Sequence, residues 1–161
     1  MNFSSLYKMQ LSLDQSINAK HNTTYESTIN KRILAFIVEL GEFANETRCF
    51  KYWSLKGPSE KEVILEEYID GIHFILSIGL ALNFDINYEF NPIGSDDLTT
   101  QLLKTYELAT KLNNSLSNSD YIDLFNNFLG LAKILNFEYS DLENAYFKKN
   151  QINYSRQENN Y

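Results

Sequence analysis

Four acids at a repeated spacing raise the first chemical question. Glu39 and Glu42 stand three residues apart, and Glu67 and Asp70 repeat that interval beyond the stretch 43–66. On a helix, i and i+3 share a face, so two such pairs can converge on hard cations. Donor sets made only of oxygen suit Mg²⁺, which keeps waters and accepts phosphate oxygens from a substrate. Val63, Glu67, Asp70 and Phe74 fall at i, i+4, i+7 and i+11, which sets two acids inside an apolar stripe. Unanswered carboxylates there would be costly and should protonate. The spacing alone leaves two answers open, a metal cluster or buried ion pairs.

The first pair sits in a second acidic pattern. Glu39, Glu42 and Glu46 lie opposite a stripe of Ile33, Ile37, Leu40 and Ala44. A solvated face is the ordinary reading of three such glutamates. The unbroken apolar run 33–38 argues instead for burial on more than one side.

These acids need helices to hold them, and the chain divides into six. Leu6, Met9, Leu13 and Ile17 recur at helical spacing, predicting a first helix over 3–19. Thr23 and Glu26 have capping-box spacing and open a second helix reaching about 48. Ser59 and Glu62 repeat that pattern after a turn, and a third helix runs to about 83. The connection 83–97 contains Ser95, a cap for a fourth helix over 97–114. Ser119 or Asp120 starts a fifth, with Tyr121, Leu124, Phe125, Phe128 and Leu131 on its apolar face. Ser140 with Glu143 caps a sixth that fades after about 150. Strand alternation, internal repeats, low-complexity tracts and domain linkers are missing, so one all-α helical bundle is expected.

Composition bounds the partners. The chain has 161 residues, enough for one domain with a substantial core. Its 6 Gly and 2 Pro leave few sharp turns, which also favours helices. A net charge of -7 disfavours direct nucleic-acid binding, while an anionic small molecule fits if metal ions bridge it to the acids. The single Cys49 excludes an internal disulfide and suits a reducing cytosol. The N-terminus lacks the apolar segment of a signal peptide, and the apolar stretch 71–84 is too short to span a bilayer. A cytoplasmic protein without membrane contact is expected.

Taken in order, the motifs resemble a known family. "VELGEFANETRCFKYWS" followed by "PSEKEVILEEYIDGIHFILSIGL" looks like the dimeric dUTPases of Gram-positive bacteria and their phages. That family falls within the all-α nucleoside triphosphate pyrophosphatases, together with MazG-like proteins. The tail "AYFKKNQINYSRQENNY" is similar to the family's C-terminal KN-x-x-N-x-x-RQ segment. The resemblance runs from Gln10 to the end of the chain, and departs at Asn160, where the family usually carries Gly before its final Tyr.

The resemblance implies hydrolysis of dUTP to dUMP and pyrophosphate with Mg²⁺, by metal-activated water attacking the α-phosphorus. It implies Glu39 as the base for that water, and Glu39, Glu42, Glu67 and Asp70 as metal ligands between the second and third helices. Trp53, with Lys51 before it, matches the element that lines the nucleoside pocket; core packing is the alternative for a lone Trp. Gln10 and Asp14, at i and i+4, match the family's polar N-terminal pattern and would bond the base or sugar; exposed polar residues are the alternative. Asn18 and His21 are minor candidates beside them. Lys149, Asn150, Asn153 and Arg156 match phosphate-side residues on a basic tail, 148–161, that would be mobile and close over a triphosphate. Composition alone makes that tail a frayed polar end.

A homodimer that builds the substrate pocket is also implied, with dUTP, and in parts of the family dUDP, as substrate. Two alternatives stand beside this reading. One is a pyrophosphatase for another nucleotide such as dCTP. The other is a phage protein that also binds a pathogenicity-island repressor, as staphylococcal phage dUTPases do as a group.

Overall fold

The helical periodicities resolve into six α-helices: α1 Ser4–His21, α2 Tyr25–Thr47, α3 Lys61–Ala81, α4 Leu98–Ser115, α5 Asn118–Ile134 and α6 Tyr139–Glu158. This is a computed structural model, and it describes residues 1–95 and 97–159. Among the described residues there is no strand, and the one β contact is an isolated bridge between Asn2 and Glu89. Among the described residues no helix is long and apolar enough to cross a membrane.

α3 is the centre of the bundle. It packs against α1, α2, α5 and α6, while α4 joins through α2 and α5. Ile64, Tyr68, Ile72 and Ile75 form one buried stripe on α3, and Ile69, Leu76 and Ile78 are buried beside it. A helix apolar over so much of its surface must be covered on several sides. α5 meets it with Tyr121, Leu124, Phe125, Phe128 and Leu131, all buried. Tyr68 stacks on Phe128 with centroids 4.4 Å apart. Each such ring contributes on the order of 2–3 kcal/mol by leaving water. Tyr121 donates to the Ile75 carbonyl at 2.9 Å, so its hydroxyl bond with Tyr7 takes its proton from Tyr7. Residue 79 must be glycine for this to fit, because a Cβ there would collide with both phenol oxygens.

The helix starts differ from the sequence expectation. Thr24, rather than Thr23, caps α2 by accepting from Ser27 N–H at 3.2 Å, and Ser27 Oγ accepts from Thr24 N–H at 3.0 Å. Glu60 precedes α3 without a side-chain cap, since Ser59 gives its hydroxyl to Glu46. Asp97 caps α4, accepting from Thr100 N–H at 2.7 Å, and Ser117 caps α5, accepting from Asp120 N–H at 3.2 Å. α6 opens at Glu138, whose N–H donates to Asp141 at 3.1 Å. Neighbouring Ser, Thr and Asp residues offer several i,i+3 pairs here, and packing of the first turn selects among them.

The largest correction concerns the C-terminus. α6 continues to Glu158 instead of fading near 150. Tyr146, Lys149 and Asn150 are buried, and Tyr154 donates to Ser12 of α1 at 2.8 Å, so tertiary contacts hold turns that composition leaves polar. Asn160, where the chain departs from the family pattern, lies outside the described residues.

Candidate active site

α2 and α3 pack side by side, and this brings the two acid pairs together. Glu39, Glu67 and Asp70 each place a carboxylate oxygen within 4.8 Å of the others, and all three are partly buried. Glu42 is exposed and stands outside this trio, though its charge helps to raise the pKa of both Glu39 and Glu67. Burial is the main cause of the Glu39 shift, followed by the charges of Asp70, Glu42 and Glu67; together they push its carboxyl up to about 7. Burial likewise raises Glu67 and Asp70.

Lys149 is the cation bonded to this cluster. Its Nζ lies 2.6 Å from Asp70 Oδ2 and 2.9 Å from Glu66 Oε1, and its side chain is 8% exposed. Burial alone would lower the ammonium pKa, but the bonds to Asp70 and Glu66 outweigh it and raise it. Lys149 does not balance the acids around it, even with the charge of Arg156 also pulling on Asp70, and Glu39, Glu67 and Asp70 keep raised pKa values. An all-oxygen donor set with surplus negative charge fits a hard divalent cation. Both sequence readings are therefore present at one place, an ion pair at Asp70 and a carboxylate cluster beside it.

Glu39 and Asp70 also line a cleft of about 540 Å³ walled by α1, α2, α3 and α6. Each helix contributes a periodic face. α1 gives Gln10, Leu13, Asp14, Ile17 and Asn18; α2 gives Thr28, Lys31, Arg32, Ala35 and Glu39. The acidic stripe of α3 continues from Asp70 through His73, Phe74 and Ser77, and α6 adds Asn153, Arg156 and Gln157. Lys149 also borders a second groove, about 420 Å³, between α3 and α6. None of the three clustered acids lines that groove, so the chemistry belongs to the first.

A polar network fills the wall of the cleft. Asp14 is 2% exposed and accepts from Gln10 Nε2 at 2.8 Å, Tyr25 OH at 3.0 Å and Ser77 Oγ at 2.6 Å. Arg32 pairs with it at 3.2 Å, and is itself aligned by Thr28 at 3.0 Å and Asn18 at 3.1 Å. Gln10 Oε1 lies 2.8 Å from His73 Nδ1 and 2.7 Å from Tyr146 OH. Burial, helped by the charge of Lys149, lowers the His73 pKa to about 3, so the ring is neutral.

The structure thus gathers Gln10, Asp14, Glu39, Asp70, Asn153 and Arg156 on one cleft, with Glu67 and Lys149 at its carboxylate cluster. Asn150 is buried, and its Nδ2 has no hydrogen-bond partner among the described residues. Gln10 and Asp14 are buried, which removes the exposed-residue alternative. Lys51 and Trp53 are not brought to the cleft within one chain. They sit on the loop between α2 and α3, where Trp53 is 64% exposed and makes T-shaped ring contacts with Phe50 and Tyr52. Core packing for Trp53 is thereby excluded. His21 is exposed and faces Gln157 at 3.3 Å. Glu46 stays outside the cluster: its carboxylate accepts from Ser59 and Asn45, which fastens the loop back onto α2 and holds its pKa low.

Sequence reasoning missed Tyr25, Arg32, Glu66, His73, Ser77 and Tyr146. Helical spacing carried a signal for three of them. Arg32 lies seven residues before Glu39 on the same face of α2, and His73 and Ser77 prolong the acidic stripe of α3.

The family model described as dUTPase matches residues 2–161, which takes in all six helices, the carboxylate cluster and the cleft. No curated protein matches the chain. On the extent of the family match, the chain belongs to the all-α dUTPase family and is a dUTP diphosphatase.

Proposed function

We propose that the cleft converts dUTP to dUMP and pyrophosphate with Mg²⁺ as the ion, by attack of water on the α-phosphorus. The observation that supports this most is the convergence of Glu39, Glu67 and Asp70 within 4.8 Å beside a cleft of nucleotide size. Glu39, Glu67 and Asp70, with Glu42 nearby, would hold the Mg²⁺, which would supply positive charge toward the phosphoryl oxygens and acidify water.

Glu39 serves as the base. Its carboxyl has a pKa of about 7 only without the ion; the positive charge of a bound cation would pull it down and keep the carboxylate ionised to take a proton. As the water oxygen bonds to the α-phosphorus, its proton passes to a Glu39 Oε. The bond from α-phosphorus to the bridging oxygen breaks, and pyrophosphate leaves with that electron pair. Lys149, Asn150, Asn153 and Arg156 take the phosphate side of the substrate, where the two cations form charge-assisted hydrogen bonds. Gln10 acts toward the base, with Asp14 behind it as its anchor.

The protein works as a homodimer in this reading. Leu34 and Val38 on α2 and Leu103 on α4 are exposed at 61%, 49% and 66%. A second copy would cover such apolar surface and deliver Lys51 and Trp53 to the cleft of the other chain. A cytoplasmic location follows from the nucleotide substrate. The deciding experiment incubates purified protein with dUTP, dUDP, dCTP and dTTP, with and without Mg²⁺, and identifies the products. Formation of dUMP and pyrophosphate only with Mg²⁺ is expected. Release of inorganic phosphate from dUTP, or faster turnover of dCTP, would overturn the assignment.

A further inference from the structure

Glu66 lies outside both the carboxylate trio and the cleft, yet it is bonded to the cation that serves them. Its side chain is 59% exposed and lines the groove between α3 and α6. An ion pair made by so exposed a carboxylate contributes little as a rule. Here the partner is not at the surface, because the Lys149 side chain is 8% exposed. An ammonium taken out of water is costly unless opposite charge and hydrogen bonds answer it.

Lys149 stands between the groove and the cleft. It borders the groove together with Glu66, and it reaches Asp70, which lines the cleft. Its Nζ carries three N–H donors and no acceptor. Asp70 Oδ2 at 2.6 Å and Glu66 Oε1 at 2.9 Å both bond to it. The two acids are four residues apart on α3, one turn, so a single ammonium can bridge them. They share one positive charge, and the hold of Glu66 on it weakens the hold of Asp70.

An ion held by Glu39, Glu67 and Asp70 would answer the same surplus charge that Lys149 answers without it. Ion and ammonium repel each other and draw on the same carboxylate, so they compete. Glu66 gives the ammonium a second acceptor outside the trio. Without Glu66, Lys149 would turn its whole charge on Asp70, and the ion would have more to displace.

We propose that Glu66 is a positioning residue that holds the Lys149 ammonium against the pull of Asp70, and thereby sets the affinity of the carboxylate trio for a divalent cation. This inference rests on the reading of the trio as an ion site. In the test, Mg²⁺ alone is titrated into the full chain by calorimetry, without nucleotide. Wild type should bind saturably; the absence of saturable binding overturns the ion-site reading and this inference with it. Glu66→Gln changes an exposed position, should leave the fold intact, and should weaken Mg²⁺ roughly 3- to 10-fold. Binding equal to wild type in this variant overturns the proposal and leaves the dUTPase reading standing. Glu66→Asp keeps the charge but draws the carboxylate back by one methylene, and should also weaken the ion. Affinity equal to wild type in Glu66→Asp would reduce Glu66 to a distant charge and overturn its positioning role. Lys149→Met identifies the route. In that background Glu66→Gln should change Mg²⁺ affinity by less than about 2-fold, since the two residues act as a unit. A full loss there would mean that Glu66 acts on the ion without Lys149, which also overturns the proposal. The comparison of Glu66→Asp with wild type needs no change at Lys149, so it decides even if Lys149→Met does not fold.

Discussion

Replacing Glu39 by Gln isolates the electrostatics of the carboxylate cluster. In the metal-free folded protein, the Glu39 carboxyl keeps its proton up to about pH 7, against 4.5 as an ordinary carboxyl. Between those values the folded state binds more protons than the unfolded chain, so stability falls as pH rises through the window. The contribution is complete below 4.5 and lost above 7. At about 1.36 kcal/mol per tenfold change in proton affinity, the shift has a ceiling of ~3 kcal/mol. Glu39 is only half-buried, and solvent screening reduces this to about 1.5 kcal/mol. For a chain of this size that corresponds to roughly 3–6 °C in melting temperature. The assay is thermal unfolding in chelator from about pH 5 to pH 8, with wild type and Glu39→Gln compared at each point. Wild type should lose stability relative to the variant as pH rises, and Mg²⁺ should restore it in wild type more than in the variant. Parallel pH curves would refute the clustered-charge account. The same variant should lose turnover while still binding nucleotide, and full activity would remove Glu39 as the base.

Lys149→Met removes the cation bonded to Asp70 and Glu66. In chelator it should destabilise the protein by about 1–3 kcal/mol in a urea titration, because Asp70 stays partly buried without its counter-charge. A divalent ion should recover most of that loss by supplying the missing charge; an equal deficit with and without the ion would count against a shared cation site. Leu34→Glu tests the dimer by sedimentation. A charge on this exposed position should leave the fold intact and shift the protein toward monomer, whereas an unchanged oligomeric state would move the interface elsewhere.

The parts of the fold and site that were legible in sequence are those written along a single helix. Ile64, Tyr68, Ile72 and Ile75 announce a buried face by spacing alone, and all four are buried. The spacing of the two acid pairs allowed Glu67 and Asp70 to converge with Glu39 without requiring it; the ligand set came from the family resemblance, and of its four members Glu42 stands outside the trio. Helix starts were legible only to within a residue or two, since Thr23 and Thr24 are chemically equivalent until the first turn is packed. The end of α6 was illegible for a different reason. Its polar sequence predicts fraying, and what holds it is contact with distant elements, such as Tyr154 with Ser12.

Asp14 and Asp70 show why the polar part of the site resisted such reading. Both are aspartates on a partly apolar helical face, and composition gives no ground for telling them apart. Asp14 is surrounded by donors: Gln10 from its own helix, Tyr25 and Arg32 from α2, and Ser77 from α3. Those bonds occupy its carboxylate and make it an anchor for Gln10. Asp70 instead shares its surroundings with Glu39 and Glu67, and its bond to Lys149 leaves like charges uncompensated. The first arrangement fixes neighbouring side chains, and the second creates affinity for a cation. Partner identity decides which outcome an aspartate has, and those partners come from remote parts of the chain, as with Gln10 and His73, 63 residues apart, or Gln10 and Tyr146, 136 apart. Lys51 and Trp53 carry this one step further. Trp53 is exposed and Lys51 partly buried on a loop away from the cleft; in the proposed dimer a second copy would bring them to it, and no intrachain pattern encodes that copy's position.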